Sequence, residues 1–113
     1  MATSILIPSG STSGMPVKVV PTATPGTLFH TADATAMDRV SLWASNTSAS
    51  AVDVTIEFGD ATAPDHLIVQ NVAAKTILQL LDAIPLLAGK TVRAFAGTAN
   101  VVNMFGFIER TTK

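Results

Sequence analysis

Val40-Ser41-Leu42-Trp43-Ala44-Ser45-Asn46-Thr47-Ser48-Ala49-Ser50-Ala51-Val52-Asp53-Val54-Thr55-Ile56-Glu57-Phe58 is the stretch on which the fold turns. Its second half alternates strictly: Val52, Val54, Ile56 and Phe58 share one face of an extended chain, and Asp53, Thr55 and Glu57 share the other. A helix, with a period of 3.6, would scatter that pattern, whereas a strand, with a period of 2, sorts it into a buried and a wet face. Val40–Ala44 reads as a second strand, and the small polar residues between the two as a loop. Together they predict a β-hairpin.

Outward from this stretch the arrangement repeats. Met15–Val20 reads as a strand closed by Pro21, and Pro21–Gly26 as a turn in which two prolines fix φ. Thr27–Thr31 is a short strand followed by a small-residue loop, Ala32–Ala36. Downstream, Gly59–Asp65 is a loop containing Pro64, and His66–Gln70 and Lys75–Leu81 are strands. A tight turn at Ala88-Gly89-Lys90 leads to Val92–Ala96 and Val101–Glu109, split by Gly97-Thr98-Ala99-Asn100. Turn signals about every 8–12 residues predict an all-β fold: a single antiparallel β-sandwich, or a jelly-roll-like barrel, of about seven or eight strands. Residues 1–14 are set apart as a flexible N-terminal arm, since Pro8-Ser9-Gly10-Ser11-Thr12-Ser13-Gly14 favours flexibility over packing; residues 15–113 are then the β-sandwich domain. Residues 73–84 admit strand or helix. Ile77, Leu80, Leu81 and Ile84 lie at helical spacing, with Pro85 as a stop, but the segment is short and flanked by strands, which favours strand.

At 113 residues one core is feasible. Hydrophobic residues make up 48% and charged residues 13%, roughly half the usual charged share of about 25%. So few charges predict that neighbouring subunits cover part of the surface, and hence a homo-oligomer. The seven basic residues are scattered and the net charge is −1, so no patch exists to neutralise a nucleic-acid backbone. Zero cysteines exclude disulfides, thiolate nucleophiles and cysteine-type zinc sites, and fit synthesis in a reducing compartment. The only apolar run near the start, Ile5-Leu6-Ile7, has no basic segment before it and ends at Pro8, so no secretory signal is read. No run approaches the ~18 residues that cross a bilayer. The expectation is a soluble chain made in the cytoplasm, with no nucleic-acid or membrane partner.

The candidate chemistry is sparse. Gly10-Ser11-Thr12-Ser13-Gly14 has the outline of a nucleophile elbow, but such an elbow needs a strand before it, a helix after it and a larger α/β scaffold. His30, Asp60, Asp65 and His66 are the residues that could suggest metal or acid–base work, yet no HxH, HxxxH or HExxH spacing aims two imidazoles at one ion. Asp33 with Asp38, and Asp60 with Asp65, flank loops and could act as paired carboxylates on a glycosidic bond, though the chain is 5% aromatic and offers little to stack a sugar on. Asn46-Thr47-Ser48 matches the glycosylation triplet but reads as a loop whose hydroxyls bond local backbone. No catalytic, cofactor or metal residue is assigned, and an enzyme is not expected.

What stands out is apolar residues on both sides of strands. Trp43 lies out of phase with Leu42 and Ala44, as either an interface anchor or part of a second core layer, and Phe95 poses the same choice beside Val92, Ala94 and Ala96. In the last strand Val102, Met104 and Ile108 oppose Val101, Phe105 and Phe107, so one face meets the core and the other a neighbour. Ile5, Leu6, Ile7, Trp43, Phe95 and Met104 are the interface candidates.

Several segments carry a resemblance. Thr27-Leu28-Phe29-His30-Thr31-Ala32, Val40–Ser48, Ala51–Gly59, Ala63-Pro64-Asp65-His66-Leu67-Ile68, Leu87–Ala96 and Thr98-Ala99-Asn100-Val101-Val102 resemble small virion structural proteins of tailed bacteriophages. The similarity runs from about Thr27 to Arg110, and Lys75–Ile84 departs from it. The resemblance implies a β-sandwich part without catalytic residues. It would be a capsid decoration (cement) protein, a trimer that bridges major capsid subunits in the virion. Alternatives are a neck, collar or tail component, or a carbohydrate- or receptor-binding β-module.

Overall fold

The computed structural model describes residues 2–60 and 65–112. These form strands β1 (Ala2–Leu6), β2 (Val17–Val19), β3 (Thr27–Thr31), β4 (Met37–Asn46), β5 (Val52–Gly59), β6 (Leu67–Val72), β7 (Ile77–Leu86), β8 (Thr91–Ala96) and β9 (Val102–Thr112), with no helix among the described residues. Two antiparallel sheets result. In the first, β9 pairs with β1 and β2 along one side and with β4 on the other, and β7 forms the far edge. The second has the order β3-β8-β5-β6. The pairs are nested: β2 with β9, β3 with β8, β4 with β7, β5 with β6. From β2 onward the chain thus doubles back once, between β5 and β6, and the long double ribbon wraps so that the other successive strands change sheet. That is the jelly-roll form of the sandwich.

The expected hairpin between β4 and β5 is therefore corrected: the two strands lie in different sheets. Alternation reports which face of a strand is buried, and both strands turn their apolar phase inward, Val40, Leu42 and Ala44 against Val52, Val54 and Ile56. It does not report the neighbour. The linker is also far longer than the two-residue turns that force a hairpin, and it arches between layers. Asn46 holds the arch: its buried amide donates to the Ser50 carbonyl at 2.8 Å and the Val72 carbonyl at 3.0 Å, while its Oδ1 accepts from Ser48 N and Oγ.

Residues 77–86 are strand, and the helical spacing has a local cause. Two register shifts against β4, at Val40/Leu42 and Leu42/Trp43, together with a φ of 51° at Ala83, break the alternation. Leu81 and Leu86 consequently both point inward although they lie five positions apart, an offset that regular alternation would place on opposite faces. Pro85 is accommodated because β7 is a sheet edge, where a missing N–H costs no ladder bond.

The separate arm is likewise corrected. Ala2–Leu6 pair residue by residue with Thr112–Ile108 of β9. Pro8 is buried, Gly10 N donates to the Phe29 carbonyl at 2.8 Å, and Ser9 Oγ accepts from Thr31 N at 2.8 Å. A Cβ on Gly10 would collide with the Leu28 carbonyl oxygen, so glycine here permits close approach to β3 and not mobility. Residues 1, 61–64 and 113, which include Pro64 of the expected loop, lie outside the described residues.

Between the sheets Val19, Phe29, Val40, Leu42, Ile56, Val92, Met104 and Ile108 form a continuous core. The accessible surface of 5785 Å² is close to the ~5,900 Å² expected of a compact monomer of this mass. One chain thus closes its own core.

Candidate functional site: a buried charged cluster and an aromatic face

A bulge in β3 places the polar cluster. The register against β8 shifts between Leu28 and His30, so Phe29 and His30, consecutive residues, both turn into the interior. Across the core Asp38 of β4 and Arg110 of β9 are opposite each other and occupy the inward phase of their strands, in step with Val40 and Ile108. His30 Nε2 lies 2.7 Å from Asp38 Oδ2, and Arg110 approaches Asp38 side-on, Nε to Oδ1 at 2.7 Å and NH2 to Oδ2 at 3.0 Å. Asp33 N donates to Asp38 at 3.1 Å, and the Asp33 carboxylate stands 3.7 Å from Arg110. Ser9 N donates to His30 Nδ1 at 3.0 Å, which places the ring proton on Nε2, toward Asp38.

The electrostatics follow from these bonds. Burial pushes the Asp38 carboxyl up, but the Arg110, His30 and Asp33 hydrogen bonds outweigh it and hold it at about 2. Asp33 is lowered by the Ala36 and Thr35 amides at the start of its turn, and Arg110 is raised by its bond to Asp38. Both carboxylates are thus stabilised as anions, so neither is disposed to give up a proton as a general acid. The paired-carboxylate idea for Asp33 and Asp38 accordingly resolves into two acceptors around one guanidinium. His30 has both nitrogens engaged and is 2% exposed, out of reach of a substrate. A cavity of about 460 Å³ opens beside the cluster, lined by Asp33, Thr35, Ala36, Arg110 and Thr112. The charged groups at its wall are already paired with each other. The cluster ties β3, β4, β9 and the Ser9 loop together at one end of the core.

The second feature is apolar. On the outer face of the first sheet Trp43 stacks on Phe105, centroids 6.1 Å apart and planes at 12°, and meets Phe107 at 6.0 Å and 35°. Trp43 and Phe105 are cross-strand partners, and such aromatic pairs contribute about 1 kcal/mol beyond their burial. All three rings are half-buried. The same face carries Ile5 and Ile77, 65% and 61% exposed, through their pairing with Glu109 and Ser45. The second sheet treats its outer face differently. Glu57, in the outward phase, is buried because the Pro21–Gly26 loop folds over it: Thr24 Oγ1 donates at 2.5 Å and Gly26 N at 2.6 Å.

Of the interface candidates, Trp43 lies in this aromatic face, with Ile5 beside it. Ile7 is exposed in the loop that follows β1, and Leu6 packs partly against the core. Phe95 is half-buried on the outer face of the second sheet, opposite Thr55. Met104 is corrected: it is 1% exposed in the core, on the inward phase of β9. Asp65 and His66 are exposed, on the β5–β6 connection. No group of three metal-ligating side chains occurs among the described residues. The partnership of Arg110 went unread in the sequence, although charged residues at Asp38 and Arg110 in otherwise apolar phases signal a buried pair. In comparison with known protein families, curated proteins and solved structures, none matches the chain.

Proposed function

We propose that this chain is a structural part of an assembly, a virion protein of the kind that decorates and cements a phage capsid. The observation that carries the reading is the Trp43–Phe105–Phe107 face. A jelly roll that has already closed its core presents three packed aromatics and two exposed isoleucines outward, beside the Arg39–Glu109 pair. Aromatic residues in such a setting anchor protein contacts. The jelly roll is also a recurrent form of viral capsid domains, which supports the reading as an analogy of fold. A cement part works through many weak, repeated contacts to major capsid subunits and to other copies, so modest apolar faces suffice. The parallel stack of Trp43 on Phe105 turns one indole face away from any sugar, which favours a protein surface as occupant over a carbohydrate.

Quantitative mass spectrometry of purified particles tests this. The proposal expects the chain at a copy number comparable to the major shell protein, and a Trp43→Ala chain that folds but no longer attaches. Absence from particles, or undiminished attachment of the variant, overturns it. A copy number far below that of the shell protein assigns the neck, collar or tail, and glycan binding lost in Trp43→Ala assigns the carbohydrate module.

A further inference from the structure

We propose that β6 is a self-pairing edge: two copies of the chain join antiparallel along Leu67–Val72, about a two-fold axis at Gln70, into one continuous sheet. This does not rest on the virion reading, because it concerns the purified chain alone.

Sheet edges in soluble proteins are guarded, since unpaired N–H and C=O groups template further strands. β3 is covered by Gly10 and Ser9, which bond Phe29 and Thr31. β7 is bulged, has a positive φ at Ala83 and contains Pro85. β2 is three residues long and includes Lys18. By contrast β6, Leu67-Ile68-Val69-Gln70-Asn71-Val72, has no charge, proline or glycine, a property that it shares with the shorter β1. Its register with β5 runs without a shift from Val52↔Val72 to Glu57↔Leu67, so its outer row of backbone groups is straight and without a strand partner among the described residues. Its side chains are correspondingly bare, Val69 at 58% and Ile68 at 38%. Beside it on β7, Leu78 and Ile84, inward by their pairing with Ala44 and Val40, remain 37% and 38% exposed. These two side chains extend the apolar surface beside β6 to the rim of the core.

The occupant follows from symmetry and charge. Two sheets that keep their inner faces on one side must pair inward residues with inward residues. With Gln70 on the axis, Ile68 meets Val72 of the second copy on the inner face and Val69 meets Asn71 on the outer. Asp65 and Lys75 lie exposed in the turns at opposite ends of β6, and neither makes an ion pair among the described residues. An antiparallel second copy brings the Asp65 end of one chain to the Lys75 end of the other, and opposite charges so placed favour the contact. The contact is two-fold, in contrast to the trimer that the resemblance implies.

The chain has no cysteine, so single cysteines report geometry directly. Gln70→Cys places two thiols on the axis at a separation of about 5 Å between Cα atoms, within disulfide range. Val69→Cys places them about 8 Å apart, out of range. Under mild oxidation Gln70→Cys is expected to form a disulfide dimer, with Val69→Cys and Ser4→Cys, on the unguarded edge of β1, remaining monomeric. Asp65→Lys should raise the dimer dissociation constant about five-fold, and adding Lys75→Asp should restore it. Cross-linking at Ser4 or Val69 and not at Gln70, no cross-link at any of them, or a double variant as weak as the single one overturns the proposal.

Discussion

Replacing Asp38 by Asn tests the charged cluster most sharply. Asp38 accepts four hydrogen bonds, from Arg110 Nε and NH2, His30 Nε2 and Asp33 N. Asn keeps the shape but offers one acceptor oxygen and turns an N–H₂ toward donors. Breaking a buried pair costs about 3–5 kcal/mol, and because Arg110 is partly exposed and can turn to water the loss should sit at the low end, about 3 kcal/mol. Much of it is electrostatic. The gap between the ordinary 3.8 and about 2, at about 1.4 kcal/mol per pH unit, corresponds to about 2 kcal/mol. The sign is fixed by the direction. A carboxyl whose folded pKa is depressed stabilises the fold fully above the unfolded value, and that stabilisation fades as pH falls through about 4 toward about 2. Urea denaturation of both chains at pH ~7 and pH ~2.5 reads it out. The difference should be about 3 kcal/mol at the higher pH and shrink by more than 1 kcal/mol at the lower. A variant within ~0.5 kcal/mol of the native chain at pH ~7, or a difference that ignores pH, refutes the cluster as described.

Gly106→Ala puts a Cβ on β9 against the backbone of β4, where the Ser41 carbonyl oxygen leaves no room. Backbone cannot step aside as a side chain can, so a loss of about 3 kcal/mol is expected in thermal or urea melts, against little change for Gly97→Ala, whose nearest contacts are at 3.9 Å. Removing residues 1–6 deletes an exposed edge strand and should leave a folded domain by circular dichroism. Extending the deletion through Ser11 also removes the bonds of Ser9 and Gly10 to His30, Thr31 and Phe29, and should cost about 2 kcal/mol or more; equal stability of the two deletions would refute the docking of that loop. Glu57→Gln should loosen the Pro21–Gly26 loop, seen as faster amide exchange at Gly26, whose N–H donates to Glu57 at 2.6 Å.

The strands were legible because period-2 alternation survives in Val52–Phe58 and Val40–Ala44, and the all-β class followed from it. Their pairing was not. Alternation records a buried face but not which sheet supplies it, so β4 and β5 read as a hairpin when they face each other across the core. Residues 77–86 lost their alternation to a bulge, a feature of β4–β7 register that no local pattern announces. The N-terminal segment misled because Gly and Ser serve close packing as well as flexibility, and only the position of Gly10 against Leu28 distinguishes the two. The phase of Trp43, opposite to Leu42 and Ala44, was legible, but not whether an interface or a second core layer would take it. Glu57 was not readable as buried, since a loop more than thirty residues away in sequence covers it.

We propose that this jelly roll, complete as a single chain, is built to be covered by others. Static light scattering of the purified protein at about 100 μM measures that directly. A mass of two or more times 11.7 kDa that falls on dilution is expected; a mass of 11.7 kDa at every concentration refutes the proposal.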